Sequence, residues 1–576
     1  MSEEGTMNKG MYGELPTDPC IFAACDHKYF NEHAPAFVQS AEKANVKAIH
    51  IHVVNPLMET FALATLLNSL TKARITYTFH DTPVPDAYEE ARTLYACTRF
   101  LVLPQIVRTA KKVLTLDIDC MVMQPFEFPN TPVGYFPREP IGSGDWETEG
   151  TKVAAGAVYV TENALQVCDA IHEQIQKVPL RWFADQIVLN AVMSQVPEEA
   201  VTKFDGQFMD WEFKEGTTIW TGKGARKHDN PTYVAKKNEM SVLETSKYGQ
   251  VILKPRLDLP FKMFGLSMRN EVNEPIRDHW SNFVDRMVEV LSNDHEVLII
   301  ESPNWMHNNR ILNHFPATTV VYVPHGEKGI WDGDDRTKYY MQTVFPWLFT
   351  VDPSGYAGSS QYQHGFFDKG GYSTDCFDEL SEYLKAGGTK FAHLQPEKGF
   401  RHSDLLKDEF IFVPLQIPHD TVIQNHSPIT CEEFVKALCE WAEKEGNPQV
   451  VFKGHPVNAQ SMLPLMNIIE QYDNVLFLTD CHIHDMIEKS AATYVINSGT
   501  GQEAMLLDKT VVVFGSCDYQ RAVITGDIAD LDQVWSTVKV TDQKTQQETY
   551  RRWYHWFGNT VFDSREQKVS TTDLNS

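Results

Sequence analysis

Two aspartates one residue apart close an apolar run, Lys111-Lys112-Val-Leu-Thr-Leu-Asp117-Ile-Asp119. On an extended chain, side chains two apart point the same way, so Asp117 and Asp119 can converge on one hard cation, Mg2+ or Mn2+, that bridges phosphate oxygens. Alone the pair is a weak signal, because acidic residues at strand ends are commonly just solvated. A second cluster, Lys453-Gly454-His455-Pro456, ends another apolar run, and Asn497-Ser498-Gly499-Thr500-Gly501-Gln502-Glu503 leads from a strand into a helix. A helix start of this kind offers free N–H groups, hydroxyls and the positive dipole end to a phosphate, and Glu503, one turn in, can accept hydrogen bonds from ribose hydroxyls. Singly, the Ser-Gly-Thr-Gly turn reads as an ordinary N-cap and His455 as a structural histidine. Together, on successive strand ends of one sheet, they read as a metal-free nucleotide site.

Such residues need elements to hold them. Strand-like runs at Cys20–Cys25, Ala48–Val54, Ile75–Phe79, Val113–Leu116 and Val153–Val160 alternate with helical stretches around Pro35–Ala44, Tyr88–Ala110 and Ala164–Gln176. That alternation is the pattern of α/β layers. It weakens between Asn238 and Glu274, where the domain boundary is expected, and resumes with a helix at Arg277–Leu291 and a strand at Glu296–Glu301. Further strands are expected at Val320–Val323, Phe345–Val351 and Lys390–Leu394 in one lobe. Those of a second lobe are expected at Phe410–Leu415, Gln449–Lys453, Val475–Leu478, Thr493–Ile496 and Thr510–Phe514, with a helix at Cys431–Lys444.

The first half carries, in order, Phe22-Ala-Ala-Cys-Asp26-His-Lys28-Tyr29, Tyr95-Ala-Cys-Thr-Arg99-Phe, the Asp117-x-Asp119 strand, Ala154-Ala155-Gly156-Ala157-Val158-Tyr159 and Trp182-Phe-Ala-Asp185-Gln186-Ile-Val-Leu-Asn190. Together these resemble the glycogenin and bacterial galactosyltransferase-like group of GT-A glycosyltransferases over roughly the first 230 residues, the order being more specific than any one motif. The resemblance implies that Ala24, Asp26 and Tyr29 cradle the base and ribose of a nucleotide sugar, a UDP-sugar in this module. Asp117 and Asp119 would hold Mn2+ or Mg2+ and the diphosphate, and Arg99 would neutralise phosphate charge. Gly156 and Asp185 would line the donor sugar or the acceptor, with Asp185 a candidate catalytic group. The group also carries a late His-x-x-Gly-x-x-Lys element supplying a third metal ligand and a phosphate-binding lysine. The corresponding stretch is Trp220-Thr-Gly222-Lys223-Gly224-Ala-Arg226-Lys227-His228, with its histidine out of place. Lys223 and Lys227 fit a phosphate loop, and either His228 swings in as the third ligand or that ligand is absent.

In the second half, Phe412-Val-Pro-Leu-Gln416-Ile-Pro-His419-Asp420, the Lys453/His455 and Ser498/Thr500/Glu503 clusters, and Val512-Val-Phe-Gly515-Ser-Cys-Asp518-Tyr519 resemble the capsule polysaccharide synthesis family of GT-B-like transferases, which includes the Kdo transferases. The resemblance runs from about Val297 to Val523. It implies that Lys453, His455, Ser498, Thr500 and Glu503 bind the donor nucleotide without a metal. It makes Asp420 the candidate nucleophile or base, and His325 and Glu327, in Val323-Pro-His325-Gly326-Glu327, weaker acid/base candidates.

Length and composition are consistent with this. The 576 residues, 42% hydrophobic, exceed one domain at roughly 100–200 residues per domain. The expected architecture is α/β throughout: a GT-A domain over 1–260, a single Rossmann-like mixed sheet, followed over 275–565 by a GT-B-like pair of Rossmann-like lobes at about 295–405 and 406–540. A formal charge of -26 argues against nucleic acid as a partner, although local cations can still hold a nucleotide sugar. No run reaches the roughly 20 apolar residues of a membrane span. The stretch MSEEGTMNKGMYGELP has no basic region followed by an apolar core, so no signal peptide is expected, and the ten scattered cysteines read as buried thiols in a reducing, cytosolic compartment. The expected activity is bifunctional transfer of two sugars to a growing glycan or glycolipid acceptor, the alternative being one active module beside an acceptor-binding or scaffolding domain. A nucleotide-sugar pyrophosphorylase or hydrolase is disfavoured, since the long Gly-rich loop near the start is missing.

Overall fold

Runs apolar at nearly every position, such as Cys20–Asp26 and Ala48–Val54, become strands covered on both faces, as parallel sheets require. The computed structural model describes residues 10–138, 152–256, 261–263, 266–268, 274–303, 309–329, 331, 333–364, 370–399, 402, 404–457 and 460–565. The chain divides into two compact units, Met1–Tyr248, Pro255–Asn270 and Leu298–Ala317 forming one and Gly249–Lys254, Glu271–Val297 and Thr318–Ser576 the other.

The first unit is built on strands β1 (Tyr12–Gly13), β2 (Cys20–Asp26), β3 (Ala48–Val54), β4 (Arg74–His80), β5 (Lys112–Leu116), β6 (Cys120–Val122), β7 (Val133–Pro137), β8 (Val153–Thr161), β9 (Val201–Lys203), β10 (Met209–Asp210) and β11 (Ile219–Thr221). Eight of them form one sheet in the order β1-β4-β3-β2-β5-β8-β7-β9, and β10-β11-β6 form a small second sheet. The centre is parallel, with β3 and β5 on either side of β2, while β8 runs antiparallel to β5. Between β2 and β5 the winding therefore reverses, and the C-terminal ends of these two strands open a crevice. Apolar clusters cover both faces, Phe30, Phe37 and Leu67 belonging to one and Phe100, Leu103 and Leu189 to the other.

After β12 (Tyr248–Arg256), a hairpin of β13 (Phe261–Met263) and β14 (Leu266–Met268) precedes β15 (Glu296–Pro303), β16 (Val320–Pro324), β17 (Thr337–Gln342) and β18 (Leu348–Asp352). A six-stranded sheet runs β15-β12-β16-β17-β18-β25, its last member being β25 (Phe562–Asp563). A second six-stranded sheet has the order β21-β20-β19-β22-β23-β24, with β19 (Phe410–Pro414), β20 (Gln449–Lys453), β21 (Val475–Leu478), β22 (Ala492–Val495), β23 (Val511–Val513) and β24 (Ile524–Thr525) all parallel. Its reversal lies at β19, flanked by β20 and β22, so Gln416, Lys453 and Ser498 emerge at the same end.

The α/β class and the separate parallel sheets are as expected. Three details differ. The expected strand Lys390–Leu394 is an irregular segment with a 3-10 turn at Ala392–Leu394, because Lys390 turns its amine inward to the carbonyl of Thr343, 3.4 Å away, rather than alternating as a strand would. The strand that fills the sheet is β17, whose Thr337, Lys338 and Gln342 diluted its apolar pattern. Finally, the halves do not part at one boundary near 260–275. Gln250, Val251 and Ile252 pair in parallel with β16, whereas residues 298–317 stay with the first unit, where Thr245 Oγ1 donates to the His314 carbonyl at 2.6 Å and Arg310 lies 3.3 Å from Glu59. Among the described residues no helix is long and apolar enough to cross a membrane, and all ten cysteines are free thiols.

Candidate functional site

In the first unit, Asp117 follows β5 and Asp119 precedes β6, with a turn closed by the Cys120 N–H to the Asp117 carbonyl at 3.0 Å. Arg99, projecting from the helix Tyr88–Ala110, is buried and ion-pairs with Asp117 directly and with Asp185 at 3.5 Å. Asp185 starts the helix Ala184–Met193 and accepts from the Gln186 N–H at 2.8 Å. Burial pushes the Asp185 carboxyl up against the opposing pull of Arg99. Lys227 Nζ donates to Asp119 Oδ2 and to the Tyr29 hydroxyl, each at 2.9 Å. Burial raises the Asp119 carboxyl and Lys227 pulls it back. Lys223 rests over the Trp211 ring at 4.9 Å, and burial, with Arg138 nearby, lowers its amine to about 8. Gly156 on β8 leaves the room this needs, since a Cβ there would stand 3.0 Å from Asp117 Oδ2.

The structure thus brings together Tyr29, Arg99, Asp117, Asp119, Gly156, Asp185, Lys223 and Lys227. Three expectations change. Arg99 is not an open phosphate ligand, because its guanidinium is enclosed between two carboxylates. Asp26 caps the helix His27–Lys43, its Oδ1 accepting from the Tyr29 N–H at 2.8 Å, with Ala24 half-buried two residues before it on β2. His228 is exposed on the turn Arg226–Asp229, where its charge is felt at Glu32 and His33. Among the described residues no three His, Cys, Asp or Glu side chains gather, and both carboxylates of the Asp-x-Asp pair already hold a cation. With both carboxylates paired and no third protein ligand beside them among the described residues, this donor set does not fit a Mn2+ or Mg2+ held by the protein alone.

In the second unit, Asp420 is exposed and caps the helix Thr421–His426, accepting from the Val422 N–H at 3.0 Å. Its charge reaches His325, Lys390 and His455. Burial lowers both imidazoles to about 4 and the Lys390 amine to about 8, with Asp420 pulling each back up. Lys453, at the end of β20, is buried and lowered for the same reason. Thr500 N–H donates to Ser498 Oγ at 3.2 Å, and the Tyr519 hydroxyl donates to the Ser498 carbonyl. Gln416 and Asn497 bind each other across the sheet's reversal, Gln416 Nε2 to Asn497 Oδ1 at 2.9 Å and Asn497 N–H to Gln416 Oε1 at 3.1 Å.

Residues 357–554 match the family model described as capsule polysaccharide biosynthesis protein. The matched stretch holds Lys390, Asp420, Lys453, His455, Ser498 and Thr500. A curated relative, protein FixF of Sinorhizobium fredii (strain NBRC 101917 / NGR234), is 28% identical over 222 residues, which is 37% of this chain and 50% of the relative. The chain therefore spans about half the length of the curated relative it matches. Among solved structures, Thermosulfurimonas dismutans KpsC, beta Kdo 2,4 transferase, is similar at 13% identity, covering 53% of this chain and 90% of that one with a TM-score of 0.33. The galactosyltransferase LgtC with donor and acceptor sugar analogs is similar at 16% identity over 39% of this chain and 84% of that one, with a TM-score of 0.26.

Two residues put forward in the second unit have other work. Glu503 is buried, accepting from Thr389 Oγ1 at 2.7 Å with His484 3.8 Å away, so its carboxylate already has protein partners. Glu327 is buried against His426 and Asn425. Conversely, Lys390 and Tyr356, whose hydroxyl donates to Thr421 Oγ1 at 3.0 Å, join the Asp420 group unannounced by any motif. The only signal for Lys390 was a charge opening an otherwise apolar run.

Proposed function

We propose that the chain is a glycosyltransferase of polysaccharide synthesis with a nucleotide-sugar site in each unit, passing sugars to a growing glycan. One observation carries this reading. In both units, cations and carboxylates collect at the C-terminal strand ends where a parallel sheet reverses its winding, and in the second unit that end lies inside the stretch matching the capsule family.

In the second unit, transfer breaks the bond between the anomeric carbon and a phosphate oxygen, and the electron pair leaves with the phosphate. Lys453 and Lys390 supply positive charge toward it. Asp420 is the exposed carboxylate that takes the acceptor's proton or attacks the anomeric carbon. His325 and His455, lowered to about 4, are neutral at pH 7 and act as hydrogen-bonding groups rather than as charged acids. Glu327 is a positioning residue. In the first unit, Asp117, Asp119 and Asp185 orient cations toward the leaving diphosphate, and no step is routed through a metal.

The test is release of free nucleotide from a panel of nucleotide sugars by the full chain, with Lys223→Met and Asp420→Asn variants. Each substitution is expected to remove a different transfer. If neither alters turnover of any sugar, the assignment of both sites falls.

A further inference from the structure

The late element of the resembling transferases, His-x-x-Gly-x-x-Lys, is present here with one residue changed. Aligned on Gly224 and Lys227, its spacing puts Thr221 where the pattern has histidine. Thr221 ends β11, buried opposite Cys120 on β6. A hydroxyl buried in this way is no substitute for an imidazole ligand. His228 does not compensate, for the turn that aims Lys227 at Asp119 leaves its neighbour exposed.

An ammonium stands beside the second aspartate instead. Lys227 is fixed on three sides, by Asp119 Oδ2 at 2.9 Å, by the Tyr29 hydroxyl at 2.9 Å and by the Tyr29 ring 4.7 Å below it. The backbone is shaped to hold Asp119 for it, the Asp119 carbonyl accepting from the Tyr233 hydroxyl at 2.6 Å and the Gly222 N–H at 3.1 Å. Gly222 is required there, since a Cβ would meet the Tyr233 hydroxyl at 2.7 Å and Lys227 Cβ at 3.0 Å. Lys223 has no carboxylate within ion-pair distance among the described residues, yet it is half-buried between Trp211 and Arg138. A half-buried cation on which Asp117 and Asp185 act only from beyond ion-pair distance is a receptor for an anion. The cluster as a whole sets Arg99, Arg138, Lys223 and Lys227 against Asp117, Asp119 and Asp185, a surplus of positive charge before any metal is added. A divalent ion entering would have to expel the ammonium and the guanidinium that the two aspartates already hold.

Resting on the reading of the first unit as a donor site, we propose that it binds a nucleoside diphosphate without a divalent cation. Lys227 and Lys223 supply the charge a metal would bring, and Asp117 and Asp119 are anchors that aim cations rather than metal ligands. On transfer, the bond from the anomeric carbon to the β-phosphate oxygen breaks and its electron pair stays on that oxygen beside the two ammonium groups. The acceptor hydroxyl forms the new bond and its proton passes to water.

Calorimetric titration of the full chain with UDP, GDP, ADP and TDP, each in excess EDTA and in Mn2+, tests this. The expected result is binding of at least one diphosphate in EDTA, changed less than about two-fold by Mn2+. Lys227→Met should weaken it by about ten- to a hundred-fold, the loss of a charge-assisted contact, and Lys227→Arg should restore most of it. Because the variant is matched against its charge-retaining partner, misfolding is separated from loss of charge. Binding that appears only with Mn2+ would overturn the metal-free site while leaving the donor reading intact. So would tight one-to-one Mn2+ uptake by the nucleotide-free chain, read by water proton relaxation and lost in Asp119→Asn. Failure of every diphosphate with and without Mn2+ would overturn the donor reading itself and this proposal with it.

Discussion

Glu327 Oε2 lies 2.9 Å from His426 Nε2, and Asn425 Nδ2 donates to the other carboxylate oxygen at 3.1 Å. The pair joins the segment after β16 to the helix Thr421–His426, which Asp420 caps. Asp420, the carboxylate proposed for catalysis, thus caps a short helix whose far end is held by a buried contact.

Burial alone would raise the Glu327 carboxyl, but His426 2.9 Å away and the hydrogen bond from Asn425 outweigh it and hold it below the ordinary 4.5. A depressed carboxyl stabilises the fold fully above its unfolded value and loses that contribution as pH falls through the folded one. Glu327→Ala is therefore expected to cost about 3–5 kcal/mol at pH 7 by leaving its partners unpaired, and less below pH 4. Urea unfolding at both pH values measures the difference.

Asp420→Asn keeps an oxygen able to cap the helix and removes the charge. Turnover in the second unit should fall by about 10²–10⁴-fold, while the melting temperature stays within about 2 °C of wild type. A drop in melting temperature matching the loss of activity would make Asp420 a structural cap alone.

His50 and His52 on β3 are fully buried, His50 between Thr76 and Thr78 at 2.8 and 3.0 Å and His52 between Thr78 at 2.9 Å and His80 at 2.7 Å. Burial lowers His50 to about 3 and His52 well below its ordinary 6.5. The unfolded chain takes up these protons first, so stability of the first unit is complete above pH 6.5 and falls steadily toward pH 3. His50→Gln should flatten that slope in denaturant titrations between pH 7.5 and 5; an unchanged slope would place the acid sensitivity elsewhere.

Continuous apolar patterns were legible. Ala48–Val54 and β20 have the bounds expected from sequence, because a strand covered on both faces needs no alternating polar residue, and the helix Tyr88–Ala110 has its expected bounds too. So were Asp117, Asp119, Asp420, Lys453 and Ser498, each standing where an apolar run stops. Residues recruited by tertiary pairing were not. Arg99 was expected to neutralise phosphate charge, and nothing local shows that Asp117 and Asp185 enclose it, just as nothing local in Val323-Pro-His325-Gly326-Glu327 points to His426. Lys390 escaped for the opposite reason, its neighbours Phe391 and Ala392 completing a strand-like pattern that the buried amine forbids.

Gly501 illustrates a constraint on the donor site proposed for the second unit. A Cβ there would lie 2.1 Å from the Tyr519 hydroxyl that holds the Ser498 carbonyl. Gly501→Ala should destabilise the second unit by about 1–3 kcal/mol and weaken its nucleotide binding, leaving nucleotide binding by the first unit unchanged. Differential scanning calorimetry with a nucleotide titration separates the two effects.

The passage of β12 into the second unit, followed by the return of residues 298–317 to the first, has a practical meaning for anyone cloning the halves. No single cut yields both pieces whole: severed before β12, the first unit lacks its later segments, and severed after residue 317 the second loses the strand on which β16 is laid. Two activities on such a chain would be inherited, expressed and lost together, because neither can be transplanted as a contiguous cassette.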